Sequence, residues 1–133
     1  MSDDIKMEVQ IVWKNREIMF AAMEILKAGL AANMRGQYYF GPDDVPDSVE
    51  YAGKGNQVGV ACRILRTAKL IEYTRFHAPE IGINYGERKS KRSNANGRIV
   101  KLYTFCEGKI KQVENILRKY GAEFQPRQME MAI

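Results

Sequence analysis

Apolar residues recur at helical spacing in three parts of this chain, and each pattern predicts an amphipathic helix. The first lies in residues 15–30, and Gly29 is expected to mark the C-terminal end of that helix. The second begins after Asn56, and the third covers residues 107–120, where Gly121 is a candidate cap. The apolar positions are Ile18, Ala22, Ile25 and Leu26 in the first pattern, Val58, Ala61, Cys62, Leu65 and Ala68 in the second, and Ile110, Val113, Ile116, Leu117 and Tyr120 in the third.

Shorter runs of β-forming residues predict strands. Residues 38–40 are aromatic and lie between two glycines, which fits a very short strand. Residues 70–76 and 98–105 form two longer candidates. The residues between them, 77–97, are predicted to be a long loop, so that the two strands and the loop make a β-hairpin with a basic tip.

The order of these elements predicts an α+β fold. Residues 42–53 complete it as a short helix, because Pro42 suits a first helical position and acidic residues suit a first turn. Residues 5–14 fit either a strand or an extension of the first helix. Three helices followed by a hairpin is the plan of a winged helix-turn-helix. The 133 residues suit one such domain, with a core at 15–105, a C-terminal helix at 107–120 and a frayed tail at 122–133.

Charge is distributed unevenly along the chain, whose formal net charge is +5. Residues 41–53 carry four acidic side chains and no cation, whereas residues 84–101 carry six cations and one acid, Glu87. A basic surface of this kind favours a polyanionic partner. No apolar run is long enough to cross a bilayer, and the first residues are acidic where a secretion signal is basic, so a cytoplasmic protein without membrane contact is expected. Cys62 and Cys106 are expected to be buried free thiols.

In a helix-turn-helix, the second helix of the motif lies in the major groove and presents side chains to base edges. In this chain Gln57 and Arg63 are the predicted base-reading residues, because Gln pairs with adenine and Arg with guanine. Arg66 and Lys54 are better placed for phosphates. Asn56, as a candidate N-cap, is expected near a phosphate at the helix N-terminus.

The basic loop is predicted to follow the sugar–phosphate backbone or to enter the minor groove of double-stranded DNA. The acidic segment would then face away from the DNA or towards a partner. The loop residues predicted to bind DNA are Arg88, Lys89, Lys91, Arg92 and Arg98.

Residues 38–105 resemble a loose group of small winged-helix proteins encoded by bacteriophages and prophages. The shared pattern is an aromatic residue, Asp-Asp-Val, a glycine-containing helix that ends in Leu-Ile, G-x-R-x-S-x-R, Gly-Arg, and a strand with an aromatic residue. The resemblance implies DNA binding, in transcriptional control or phage DNA replication. Lys69 departs from it, because winged-helix proteins generally have Gly before Leu-Ile. The matching residues are Asp43, Asp44, Val45, Gly59, Leu70, Ile71, Gly86, Arg88, Ser90, Arg92, Gly97, Arg98 and Tyr103.

Other functions are weighed against this one. An enzyme is disfavoured, because no Cys/His pair, Ser/His/Asp set or phosphate-binding loop is present, and no cofactor or metal is expected. His77, the single histidine, is expected to be structural. The main alternative is a protein-interaction adaptor built on a winged-helix scaffold. The C-terminal helix is the expected interface of a possible homodimer.

Overall fold

The computed structural model describes residues 16–45, 57–91 and 98–120, and in this part of the chain the fold is α+β, as predicted. None of the described helices is both long and apolar enough to span a membrane. Residues 5–14, most of the predicted helix at 42–53, Lys54, Asn56, Arg92 and the predicted tail lie outside the described residues. The elements are α1 (Arg16–Met34), a 3-10 turn (Pro42–Asp44), α2 (Gln57–Thr67), β1 (Ile71–Tyr73), a second 3-10 turn (Pro79–Ile81), β2 (Glu87–Lys89), β3 (Ile99–Lys101), β4 (Tyr103–Phe105) and α3 (Ile110–Tyr120).

Helix α1 is longer than predicted, because Gly29 does not end it. The helix continues to Met34 and is closed by Gly36, whose φ of +83° places it in the left-handed region that favours glycine. Gly29 is buried instead in a tight contact. A Cβ atom there would lie 2.6 Å from Phe105 Cζ and 2.9 Å from Phe40 Cε1. Glycine at this position therefore lets two aromatic rings approach the helix backbone.

The apolar face of α1 forms the centre of the main core and packs against both α2 and α3. Most of the apolar stripe predicted for the C-terminal helix is used within the chain, since Val113 is fully buried and Ile116, Leu117 and Tyr120 pack against the same core, whereas Ile110 is 42% exposed. A homodimer through this helix stays a prediction. The buried residues that α2, the strands and the turn between α2 and β1 add to the core are Val58, Ala61, Cys62, Leu65, Leu70, Ile71, Tyr103 and Phe105.

Four short strands make two antiparallel pairs, and one of them, β1 with β4, joins the two strands of the predicted hairpin. Strand β1 pairs with β4, with Tyr73 opposite Tyr103, and Phe40 bridges to Tyr103. Strand β2 pairs with β3, with Glu87 opposite Lys101. Residues 87–89 were expected in the loop, so the structure extends the hairpin beyond the predicted strands.

Between β1 and β2 the chain makes a side loop, residues 75–86, that doubles back on itself. Asn84 and Glu87 exchange backbone hydrogen bonds of 2.8 and 3.1 Å around Tyr85 and Gly86, which both have positive φ. This is a two-residue hairpin turn of the kind that requires such angles. A Cβ on Gly86 would lie 1.9 Å from the Thr74 carbonyl oxygen, so only glycine fits where the side loop rejoins the hairpin. The loop covers the buried side chain of Leu102 with Ala78 and Ile83.

Helix α2 ends in a left-handed turn at Lys69, the residue that departs from the winged-helix pattern. Its φ is +61°. The Leu70 N–H donates to the Leu65 carbonyl at 3.0 Å, and the Lys69 N–H donates to the Arg66 carbonyl at 2.9 Å. This pair of bonds is the Schellman motif, in which the left-handed position is usually glycine. The turn therefore has the geometry that glycine would give, with a lysine in its place.

Replacing Lys69 by glycine is expected to stabilise the protein. A non-glycine residue in the left-handed region costs roughly 1–2 kcal/mol. Glycine removes this cost, but its greater conformational freedom in the unfolded chain cancels part of the stabilisation. We expect Lys69→Gly to raise the free energy of unfolding, measured in urea, by about 1 kcal/mol. Lys69→Ala is the control, since it removes the same side chain but keeps the Cβ. Equal stability of the two variants would contradict the strain at this turn.

Candidate nucleic-acid interface

Helix α2 presents two of its predicted DNA-binding residues to solvent. Arg63 is exposed and Arg66, one turn later, is half-buried. Gln57 lies at the first position of the helix, and its Oε1 atom is buried without a hydrogen-bond partner among the described residues. An adenine-reading glutamine needs both ends of its amide at the surface. Arg63 is therefore the more accessible of the two predicted base-reading residues.

Cations from the helix and from the hairpin meet at the ring of Tyr73. The Arg66 Cζ atom lies 4.3 Å from the ring centroid, and the Lys101 Nζ atom lies 4.9 Å from it. The ring is 47% exposed and stacks on Tyr103, with centroids 5.3 Å apart. We call Arg66, Tyr73 and Lys101 the Tyr73 cluster. The negative face of an aromatic ring attracts cations, which explains how two like charges share this place.

The side chains beneath the Tyr73 cluster stay uncharged at neutral pH. Burial raises the pKa of the Cys62 thiol to about 11, although a hydrogen bond with Tyr103 and the charge of Arg66 act in the opposite direction. Burial also raises the pKa of Tyr103. Cys62 is a buried free thiol as predicted, whereas Cys106 is free but only half-buried. The charge of this surface is therefore set by Arg66 and Lys101.

A second group of charges fastens the basic hairpin to the turn at residues 42–44. Arg88 donates to Asp43 through Nε at 3.3 Å and through Nη2 at 2.9 Å, and it reaches Asp44 at 3.1 Å. The Lys91 N–H donates to Asp43 at 3.0 Å, and the Lys91 ammonium pairs with Asp44. We call these four residues the ionic clasp. Asp43 is 1% exposed and Arg88 is 12% exposed, so their charges are desolvated and depend on each other.

The acidic segment was expected to face away from the DNA or towards a partner, and in the structure Asp43 and Asp44 pair with Arg88 and Lys91 of the predicted basic loop. Burial acts to raise the pKa of Asp44. Hydrogen bonds from Lys91 and Gly41, with the charges of Arg88 and Lys91, outweigh burial and lower the pKa below its ordinary value of 3.8. Both cations are thus matched by carboxylates. Arg88, a predicted DNA-binding residue, is held as a structural cation, and Lys91 is shared between the clasp and solvent.

The remaining predicted hairpin cations within the described residues are Lys89 and Arg98. Both side chains are exposed, and neither takes part in the ion pairs found among the described residues. Lys101 joins them from β3. The sequence placed Lys101 in the basic stretch without assigning it a role, and Tyr73 was seen only as a strand residue. Their spacing of 28 positions gave no sign that they touch.

A groove of about 740 Å³ separates the side loop from β2. Its charged residues are Glu87, Arg88, Lys89 and Lys91, and the two aspartates of the clasp lie beside them. These are three cations and three carboxylates, so the formal charges of the described residues at the groove balance. No group of three or more His, Cys, Asp or Glu side chains in residues 16–45, 57–91 and 98–120 is placed to hold a metal ion.

The single histidine has a structural contact. His77 stacks on Tyr85 with ring centroids 4.0 Å apart, and its Nδ1 atom accepts a hydrogen bond from the Tyr85 N–H at 3.2 Å. These contacts brace the start of the side loop against its final turn, the kind of structural role that was expected for this residue.

Comparison of the chain with protein-family models, with curated proteins and with solved structures finds no match. The resemblance to phage winged-helix proteins therefore stays a prediction. Function has to be inferred from the charged surface that α2 and the hairpin form.

Breaking the ionic clasp should destabilise the protein far more than removing a neighbouring cation. Arg88→Ala leaves the Asp43 carboxylate buried without its main partner, which costs roughly 3–5 kcal/mol. Lys89→Ala, one residue along the same strand but exposed, should change the free energy of unfolding by less than about 0.5 kcal/mol. Urea denaturation of both variants measures the difference. Similar small losses for the two would show that Arg88 is not a structural cation.

Proposed function

We propose that this protein is a non-enzymatic DNA-binding protein of the winged-helix type, which binds double-stranded DNA through α2 and the hairpin. The observation that carries the proposal is the Tyr73 cluster. There a cation of α2 and a cation of β3 lie beside one ring, with no ion pair to a carboxylate among the described residues. A helix and a hairpin with a common cationic surface can contact one duplex together.

In this arrangement α2 enters the major groove and Arg63 reads a base edge, while the hairpin follows the backbone. The order of α2, β1 and the extended hairpin supports the winged-helix interpretation. The net charge of +5 supports attraction to a polyanion. Transcriptional control and phage DNA replication are the proposed settings, since both use small duplex-binding proteins of this type.

An adaptor that binds another protein is the second candidate. It is favoured by large apolar side chains that the side loop and the segment before Phe40 leave in solvent. Tyr38 is 73% exposed, Tyr85 is 72% exposed and Ile81 is 61% exposed. An adaptor of this kind has no need of duplex DNA, so the salt dependence of duplex binding separates the two functions.

Duplex binding should weaken steeply with salt. Four cations are assigned to the backbone, Arg66, Lys89, Arg98 and Lys101, and if they neutralise three or four phosphates, the slope of log K against log salt concentration is about −3 to −4. We expect Lys89→Gln with Arg98→Gln to make the slope less negative by about 2 units. Lys111→Gln, on the exposed face of α3, is the control and should leave the slope unchanged. Fluorescence anisotropy with a labelled duplex measures both, and no binding in dilute buffer would favour the adaptor.

Arg63 should determine base preference. A selection from a random duplex pool identifies the preferred site, and Arg63→Ala should lose about 1–3 kcal/mol of discrimination at one base pair of it. Arg63→Lys retains the charge but cannot donate a bidentate pair of hydrogen bonds to one base. It should therefore keep most non-specific affinity and still lose discrimination. A uniform loss on every sequence would assign Arg63 to phosphate contact instead.

A further inference from the structure

We infer that Arg66 and Lys101 together hold a single phosphate group of the nucleic-acid backbone, with the ring of Tyr73 as the platform that positions both cations. This inference rests on the proposed function and makes the Tyr73 cluster one specific anion site within the larger interface. It also gives Tyr73 a positioning role that the sequence did not indicate.

The geometry suits one phosphate shared by two donors. The charged groups of Arg66 and Lys101 lie 4.3 and 4.9 Å from the same centroid, so they cannot be farther apart than the sum of these distances. Charge-assisted hydrogen bonds to phosphate are about 2.8 Å long. Two oxygen atoms of one tetrahedral phosphate can accept from donors up to about 8 Å apart, which covers most of the separations that these two distances allow.

The charges around the cluster leave the two cations without a carboxylate partner in the part of the chain that the structure describes. Glu87 lies opposite Lys101 in the strand register, yet the pair forms no ion pair. Glu72, next to Tyr73 in the chain, has its Oε2 atom 3.7 Å from Cys106 Sγ. Two neighbouring positive charges repel each other, and an anion between them removes that cost.

The platform is fixed before any ligand arrives. Tyr73 stacks on Tyr103, and the backbone of Tyr103 exchanges hydrogen bonds of 2.7 and 3.0 Å with Phe40. Phe40 is fully buried. A preformed site of this kind loses little side-chain freedom on binding, because ring contacts already restrict the long side chains of Arg66 and Lys101.

The number of phosphates can be counted from salt slopes. We expect Arg66→Gln and Lys101→Gln each to weaken binding to a labelled 20-base-pair duplex between 50 and 300 mM NaCl. If the two residues share one phosphate, the double variant should lose about 0.9 from the magnitude of the slope, whereas two separate phosphates predict a loss of about 1.8. Lys111→Gln is the matched control for a surface cation, and urea unfolding checks that each variant is folded.

The role of Tyr73 is tested by a pair of variants. Tyr73→Phe keeps the ring and should bind like the unchanged protein, while Tyr73→Leu should bind about three- to tenfold more weakly, in line with the loss of cation–π contacts. In a chain that already carries Arg66→Gln and Lys101→Gln, Tyr73→Leu should have no further effect. A purely structural role would weaken binding in both backgrounds.

The outcomes separate this inference from the proposed function. A slope loss of about 0.9 with a Tyr73→Leu effect that depends on the two cations supports the shared phosphate. A loss of about 1.8, or no loss, while the unchanged protein still binds duplex with a steep salt slope, overturns the shared phosphate and leaves the function standing. Failure of the unchanged protein to bind duplex at any salt concentration overturns both.

Discussion

The contact of Gly29 with the rings of Phe40 and Phe105 determines where the hairpin leaves the helical core. Because α1 has no side chain at this position, β4 and the segment at Phe40 lie close against the helix backbone. Phe40 then bridges Tyr103, and Tyr103 supports Tyr73. The placement of the Tyr73 cluster thus follows from one close approach on the same face of the β1–β4 sheet, because Tyr73 lies opposite Tyr103 and Phe105 follows two residues later in the same strand. A larger residue at position 29 would have to push the hairpin outward and would disturb that series of contacts.

The ionic clasp is a second, independent attachment at the far part of the hairpin. Strands β2 and β3 are three residues each and contribute little apolar surface to the main core. Short strands of this kind are weakly stable alone. The desolvated pairing of Arg88 with Asp43 compensates by holding the hairpin to the turn at Pro42–Asp44. Breaking a buried pair of this kind leaves an unpaired charge in the protein interior, which is costly. The pair therefore favours the one orientation of the hairpin in which both charges are matched.

These two attachments divide the basic residues of the chain by role. Arg88, with part of the charge of Lys91, is used to hold the fold together. Ion pairs among the described residues do not include Arg63, Arg66, Lys89, Arg98 and Lys101, which form the proposed interface. A count of positive charges along the loop cannot make this division, because it depends on carboxylates more than 40 positions earlier in the chain. The proposed interface is smaller than the basic loop suggested, and it includes the base of the hairpin, which the sequence left without a role.

The sequence determined the kind and approximate place of most elements, because helical periodicity, runs of β-forming residues and glycines are local signals. The α+β class, α2, α3, the pairing of the two outer strands and the burial of Cys62 could all be predicted in this way. Local signals were ambiguous for glycine. Gly29 looked like a helix end and is a packing contact, while Lys69 occupies a left-handed turn that usually has glycine. The tertiary structure alone decided which charges are paired and which cations converge on Tyr73, since those contacts join residues far apart in the chain and depend on how the hairpin is attached to the helices.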